Sequence, residues 1–202
     1  MLAGLILAAG QGSRFGSDKR QALLPSGESL LARAITQYAA ACDKLFVVLP
    51  PGDGFGQSLC ARWGAIGVTN PQADEGMGHS LAKGIQAILQ DAEAAHIQGV
   101  IVGLADMPHI TTSLIQQVGA ALLNSGLDAQ PLQAVVPIYQ GQMGHPRGIP
   151  AHLLGELAHL TGDQGARAGI NWRQARHLVV DEPGVLLDID TPQDLAQLKA
   201  PK

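Results

Sequence analysis

Apolar residues in this chain follow two rhythms. Short unbroken runs occupy 2–8 (LAGLILA), 45–49 (LFVVL), 99–104 (GVIVGL), 133–138 (QAVVPI), 177–180 (HLVV) and 185–189 (VLLDI). Runs of this length with no polar alternation predict strands covered on both faces, as in a parallel sheet. Between them the spacing changes to three and four. In 28–42, Leu30, Leu31, Ala34, Ile35, Tyr38 and Ala41 share one helical face. The same stripe recurs in 80–92 (Leu81, Ile85, Ile88, Leu89) and in 112–123 (Leu114, Ile115, Val118, Leu122). A last helix is predicted from Thr191-Pro192, with Thr as N-cap, Pro in the first turn and Asp194 close behind.

Alternating strands and helices predict a three-layer α/β/α fold with a mostly parallel, Rossmann-like sheet. The 202 residues suit one domain spanning 1–202, with neither repeats nor a linker. The least regular stretch, about 139–175, is rich in Gly and His and is expected to form a hairpin and short helices over the sheet's open edge. In such sheets ligands bind beyond the carboxyl ends of the strands.

Composition narrows the function. Hydrophobic residues make up 46% and the formal charge is −4, so nothing favours a nucleic acid or an anionic membrane as partner. Any phosphate must be held locally, by a few cations, backbone amides or a metal. The two cysteines, Cys42 and Cys60, lie among apolar residues without metal-ligand spacing, which fits buried thiols in a reducing cytoplasm. The apolar start of the chain lacks a basic flank and is too short to span a bilayer.

The chemistry concentrates after the first strand, in LAAGQGSRFGSDK (7–19). The glycines follow GxGxxxG instead of the dinucleotide GxGxxG, and the second strand ends in Leu49-Pro50-Pro51 instead of an acid. Gly16 is followed by Ser17, Asp18 and only then Lys19, so the loop is not a Walker loop either. A plain strand-to-helix turn has no need of two cations. Glycines that let backbone N–H groups approach an anion, a planar Arg14 fork and a mobile Lys19 charge describe a distinct phosphate-binding loop.

That segment resembles the signature L-[AS]-[AG]-G-x-G-x-R-[FM]-G-x-x-K of nucleotidyltransferases that activate small phosphorylated molecules, of the nucleotide-diphospho-sugar transferase type. More narrowly, the chain resembles the MobA/MocA-like branch, which makes dinucleotide forms of the molybdenum cofactor. The likeness continues in EGMGHSLAKGI (75–85), LADMP (104–108), GHP (144–146), TGDQGAR (161–167) and DIDTPQDL (188–195).

The resemblance implies roles. Arg14 and Lys19 would be catalytic, offsetting charge on the α-phosphate and the leaving group. Leu7, Ala8, Ala9, Gly10 and Gly12 would bind the nucleotide, with Gly78 and Ser80 at the start of a helix whose free N–H groups suit an anion. Asp106 and Asp190 would hold Mg²⁺, which takes carboxylate and phosphate oxygens. Asp190 is chosen over Asp188 by likeness to sugar-cytidylyl enzymes with a DTPEDL ending; Asp188 would be structural or would support the metal ligands from behind, and the reverse assignment of the two stays open. His145, Asp163 and Arg167 would face the acceptor. His79 stands where the family carries small or hydroxyl residues, and both a surface and a direct role stay open for it.

The implied reaction is attack of an acceptor phosphate oxygen on the α-phosphorus of a nucleoside triphosphate, with pyrophosphate leaving. Cytidylyl-transferring relatives carry Ala where guanylyl-transferring ones carry Gly, so Ala9 points to CTP. The acceptor would be molybdenum-molybdopterin, with transient contact to a molybdoenzyme that receives the product. Three other readings compete: another acceptor such as a sugar phosphate or methylerythritol phosphate, a non-catalytic cofactor chaperone, and a dinucleotide oxidoreductase, which the glycine spacing disfavours.

Overall fold

The structure is a computed structural model that describes residues 1–10, 15–124, 131–162 and 169–199. Four parallel strands form its centre: β1 (Leu2–Leu7), β2 (Lys44–Leu49), β3 (Ile66–Thr69) and β4 (Gly99–Leu104), in the spatial order β3-β2-β1-β4. Beyond β4 lies an antiparallel strand, β7 (Arg147–Pro150), followed by β5 (Val135–Tyr139). β5 carries a short hairpin partner, β6 (Gln142–Met143), and pairs in parallel with β8 (Arg176–Val179).

Helices cover both faces. The helices α1 (Leu30–Ala39), α2 (Gly54–Arg62) and α4 (Thr112–Leu123) lie on one side, where Leu31, Ile35, Cys60, Leu114 and Val118 meet Ile6, Val47 and Ile101 of the strands. On the other face α3 (Met77–Gln90) and the single turn α5 (Leu154–Leu157) press Leu81, Ile85 and Leu157 onto Leu5, Val48 and Val102. The expected three-layer, mostly parallel fold is what the chain forms. Both thiols are free and buried or half-buried; burial, followed by a nearby aspartate, pushes Cys42 up to about 12 and Cys60 up to about 11. No helix among the described residues is long and apolar enough to cross a membrane.

Three sequence expectations change. The run 185–189 is not a strand: Pro183 opens a 3₁₀ turn over Pro183–Leu186, and Val185 and Ile189 point inward while Leu187 is exposed. The run at 177–180 does form β8, but as an edge with Val179 81% exposed instead of a strand covered on both faces. Residues 139–175 do more than cover an edge. They supply β7, an interior strand buried along its whole length between β4 and β5.

Close packing between α1 and β4 rests on Gly103. A Cβ built there collides with the Tyr38 hydroxyl and ring, reaching Cε2 at 3.0 Å. The Tyr38 hydroxyl is buried without a hydrogen-bond partner among the described residues, and burial pushes its pKa well above the ordinary value. An unsatisfied buried hydroxyl and an overpacked ring have opposite remedies. In urea unfolding, Tyr38→Phe is expected to raise stability by about 1 kcal/mol. Gly103→Ala is expected to lower it by about 2 kcal/mol. A Tyr38→Phe protein less stable than the parent would show that the hydroxyl has a partner after all.

Candidate active site at the carboxyl edge

The chain leaves β1 at Leu7 and returns through Gly16 to a 3₁₀ turn, Lys19–Gln21, capped by the Asp18 carboxylate, which accepts from Arg20 N at 3.1 Å. That turn aims Lys19 across the carboxyl edge of the sheet. Its Nζ donates to Asp106 Oδ2 at 2.7 Å, to Asp190 Oδ1 at 3.2 Å and to the Ile189 carbonyl at 3.3 Å. Asp106 sits just beyond β4, so the adjacency of β1 and β4 brings it to the loop.

Asp190 arrives from the far end of the chain. Phe15, Leu24 and Leu30 form a small apolar cluster with Ile189 and with Leu195 of α6 (Pro192–Lys199), which docks the last helix against the loop. Ile189 N donates to the Asp106 carbonyl at 2.9 Å. A reciprocal cap then fixes the turn: Asp194 N donates to Thr191 Oγ1 at 3.2 Å, and Asp194 Oδ2 accepts from Thr191 N at 2.7 Å and Asp190 N at 3.1 Å. Hydrogen bonds from Thr191 hold the Asp194 carboxyl below its ordinary pKa. Burial alone would push the Lys19 ammonium down, but Asp106 and Asp190 outweigh it and hold the group above its ordinary value. The neighbouring Asp188 carboxyl is pushed up, by burial first and then by Asp190 and Asp106.

Beside this ion cluster opens a cavity of about 440 Å³. Leu7, Ala8, Ala9 and Gly10 form one wall. Lys19, Asp106 and Ser80 contribute to the rest, so these seven predicted residues converge on one space. Ser80 is buried, and its hydroxyl accepts from Asn70 Nδ2 at 3.1 Å.

Other expected residues stand elsewhere. Gly78 is absent from the cavity wall: its N–H donates to the Gly162 carbonyl at 2.7 Å, and a Cβ there would lie 2.6 Å from that oxygen. Gly78 thus lets residues 161–162 lie on the start of α3, and its N–H is engaged there. His79 joins that contact, its Nδ1 accepting from Gly162 N at 3.3 Å. His145 does not line the cavity; its N–H donates to the Val185 carbonyl at 2.9 Å, tying the GHP motif to the segment that leads to Asp190. Gly12, Arg14, Asp163 and Arg167 lie outside the described residues.

The sequence reading passed over Arg20. Its Nε and Nη2 grip the two Asp18 oxygens at 2.8 Å each, while Nη1 donates to the Ala8 carbonyl at 3.3 Å and to Asp53 Oδ2. Asp53 caps α2 through Gly56 N at 2.9 Å. One guanidinium therefore ties both ends of the loop after β1 to the start of α2. The signal in the sequence was slight: a second cation beside Lys19, and an aspartate before a glycine pair in PGDGFG.

Asp106 Oδ1 is buried and has no hydrogen-bond partner among the described residues. Together with Asp190 it offers hard oxygen donors to a divalent cation. No group of three or more candidate ligands occurs among the described residues.

The chain is similar to known proteins along most of its length. The family described as the MobA-like NTP transferase domain matches residues 4–178. Nicotine blue oxidoreductase of Paenarthrobacter nicotinovorans is 25% identical over 98% of this chain and 96% of its own. The probable molybdenum cofactor guanylyltransferase of Chloroflexus aggregans is 33% identical over 67% of this chain and 65% of its own. The crystal structure of Rv0371c from Mycobacterium tuberculosis H37Rv superposes with a TM-score of 0.77 at 25% identity, covering 98% of this chain and 96% of that one. The same mycobacterial protein has also been crystallised as a manganese complex.

Removing the Arg20 clamp leaves the buried Asp53 carboxylate without its cation. Arg20→Met is expected to lose about 3 kcal/mol at pH 7 in urea unfolding. Burial pushes Asp18 up, but the Arg20 and Gln21 hydrogen bonds outweigh it and hold the folded carboxyl below its ordinary value. Its contribution is therefore complete above the unfolded value of about 3.9 and disappears as pH falls through the lower folded value. The gap between parent and Arg20→Met should narrow across that acid window. A gap that stays constant from pH 7 to 3 would contradict the clamp.

Proposed function

The chain belongs to the MobA-like NTP transferase domain family, and we propose that it moves a nucleoside monophosphate, CMP from CTP, onto the phosphate of molybdenum-molybdopterin. The observation that carries this reading is Lys19 held between Asp106 and Asp190 at the mouth of the Leu7–Ala8–Ala9–Gly10 cavity. Mere storage of a cofactor has no need of a lysine and two carboxylates focused on one point, which argues against a chaperone without turnover.

A phosphate oxygen of the acceptor forms a new bond to the α-phosphorus as the bond from that phosphorus to the bridging oxygen breaks, and pyrophosphate leaves. The acceptor is a phosphate monoester, with a second pKa of about 6, and is anionic at neutral pH without a general base. The protein's work is positioning and charge. Lys19 and Arg14 offset the negative charge on the α-phosphate and the departing pyrophosphate, while the wall at 7–10 and Ser80 seat the nucleoside side. Asp106 and Asp190 would hold Mg²⁺, which would supply further charge neutralisation at the phosphates; the mycobacterial structural neighbour has been crystallised in complex with manganese. His145, Asp163 and Arg167 are assigned to the acceptor side. The protein would act in the cytoplasm as one domain and pass its product to a molybdoenzyme by transient contact.

Ala9 is among the residues that line the cavity, and its methyl, where guanylyl-transferring relatives carry a glycine hydrogen, is the ground for choosing a pyrimidine. A second reading uses GTP, since the 33% identical Chloroflexus relative is named a guanylyltransferase. The test supplies the purified protein with Mg²⁺, molybdenum-molybdopterin and CTP, GTP, ATP or UTP in turn, and reads pyrophosphate and the dinucleotide by mass spectrometry. Product with CTP alone is expected, and Lys19→Ala should lower kcat by at least about 100-fold while the protein stays folded. Product with GTP alone would transfer the base assignment to the second reading. Unimpaired turnover in folded Lys19→Ala would overturn the mechanism.

A further inference from the structure

The sheet ends at β8, which pairs with β5 and with no other strand among the described residues. Arg176 N donates to the Ala134 carbonyl at 2.8 Å, and Val180 N to the Ile138 carbonyl at 3.0 Å. In a parallel ladder every second residue turns its backbone groups to the neighbouring strand. Arg176, Leu178 and Val180 therefore face β5 with their N–H and C=O groups, and His177 and Val179 turn theirs to the open side. No strand among the described residues receives those outward groups. The chain is still extended at Glu182, with φ −126° and ψ 103°, before Pro183 opens the 3₁₀ turn.

Native sheet edges are commonly blunted by a lysine, a proline or a bulge. The middle of this one reads Leu178-Val179-Val180. Leu178 and Val180 pack into the core on the α4 side, but Val179 stands 81% exposed. Charge sits only at the two ends, with Arg176 before the apolar triplet and Asp181 and Glu182 after it. Arg176 and Asp181 are exposed. Arg176 spends Nη1 on the Ala121 carbonyl at 3.2 Å, which leaves the rest of its fork for an acid. Two copies of this strand laid antiparallel bring the basic end of each to the acidic end of the other. Laid parallel, they would set Arg176 against Arg176 and Asp181 against Asp181, and like charges directly opposite are destabilising.

We infer that the β8 edge is the docking surface for a second copy of this chain, paired antiparallel about a two-fold axis through Val179. Val179 then lies opposite Val179 of the partner subunit, and His177 opposite the partner's Asp181. Val179 and His177 are the positions whose backbone groups point outward, so this register exchanges N–H and C=O groups where they are unused. Arg176 meets the acidic end of the partner strand. The contact is isologous and consumes both edges, so it closes at a dimer instead of growing into a fibre. Two short strands bury little area, and the dimer dissociates on dilution. The inference is independent of the proposed transfer reaction.

Sedimentation equilibrium over a concentration series tests it. The parent chain is expected to show a reversible monomer–dimer equilibrium. Val179→Lys places a charge at the centre of the edge, on a side chain that packs on little of its own chain, and should raise the dissociation constant at least about tenfold. Cross-linking then reads the register. Val179→Cys sets its two thiols directly opposite each other, and a short bifunctional maleimide should link them into a covalent dimer, whereas the parent with Cys42 and Cys60 alone should stay unlinked. Asp181→Cys, also exposed, should not link, because the two-fold axis sets its two copies at least about 13 Å apart along the strands. A parent that stays monomeric throughout the series overturns the inference. So does a dimer indifferent to Val179→Lys, or cross-linking of Asp181→Cys as efficient as that of Val179→Cys.

Discussion

One ammonium group organises the reaction end of this protein. Lys19 lies within 2.7 Å of Asp106 and 3.2 Å of Asp190, two carboxylates that would otherwise repel each other across the carboxyl edge of the sheet. Its charge lies between them and offsets that repulsion. Three separate pieces of fold converge to make this contact: the loop after β1, the end of β4 and the turn into α6. The first two are neighbours because β1 and β4 pair directly. The third depends on five apolar side chains, Phe15, Leu24, Leu30, Ile189 and Leu195. The same small cluster that closes the hydrophobic core at this edge also delivers the second carboxylate.

Around that contact, other polar groups hold the surrounding backbone and side chains in place. Arg20 clamps Asp18, Ala8 and Asp53, so the loop's geometry depends on the start of α2. Asn70 fixes the Ser80 hydroxyl from the turn after β3. The Thr191–Asp194 cap fixes the backbone of Asp190. Phosphoryl chemistry gives side chains little covalent work, and a scaffold that spends its polar contacts on rigidity suits such a reaction. The family supplies the nucleotidyl-transferring frame; in the proposed reaction the choice of base is assigned to Ala9.

Much of this was legible in the sequence, and the failures have physical causes. Strands covered on both faces announce themselves as unbroken apolar runs, which is why β1, β2, β4 and β5 could be read directly. β7 could not, because Arg-Gly-Ile-Pro looks like a loop; it is interior since its arginine stacks on Trp172 and its proline sits at the end of the pairing. α2 buries only Gly56 and Cys60, too narrow a stripe to register. The run at 185–189 misled because only Val185 and Ile189 of its apolar residues are fully buried, four apart along a turn. In the site, Lys19 and Asp106 each follow a strand and carry local signatures. Asp190 was reached only by resemblance, since its approach to Lys19 depends on how α6 docks. The Arg20–Asp53 pair joins residues 33 apart at the start of a helix the pattern did not reveal, so the slight signals at each end did not show that the two meet.

The central claim is direct, in-line transfer at the phosphate centre held by Lys19, with no covalent enzyme intermediate. The most direct test is stereochemical. A nucleoside 5′-(α-thiotriphosphate) of single configuration is turned over with the phosphorylated acceptor, and the configuration at phosphorus in the dinucleotide product is determined by ³¹P spectroscopy. One in-line displacement predicts inversion. Retention would demand two displacements through a nucleotidylated residue and would contradict the account.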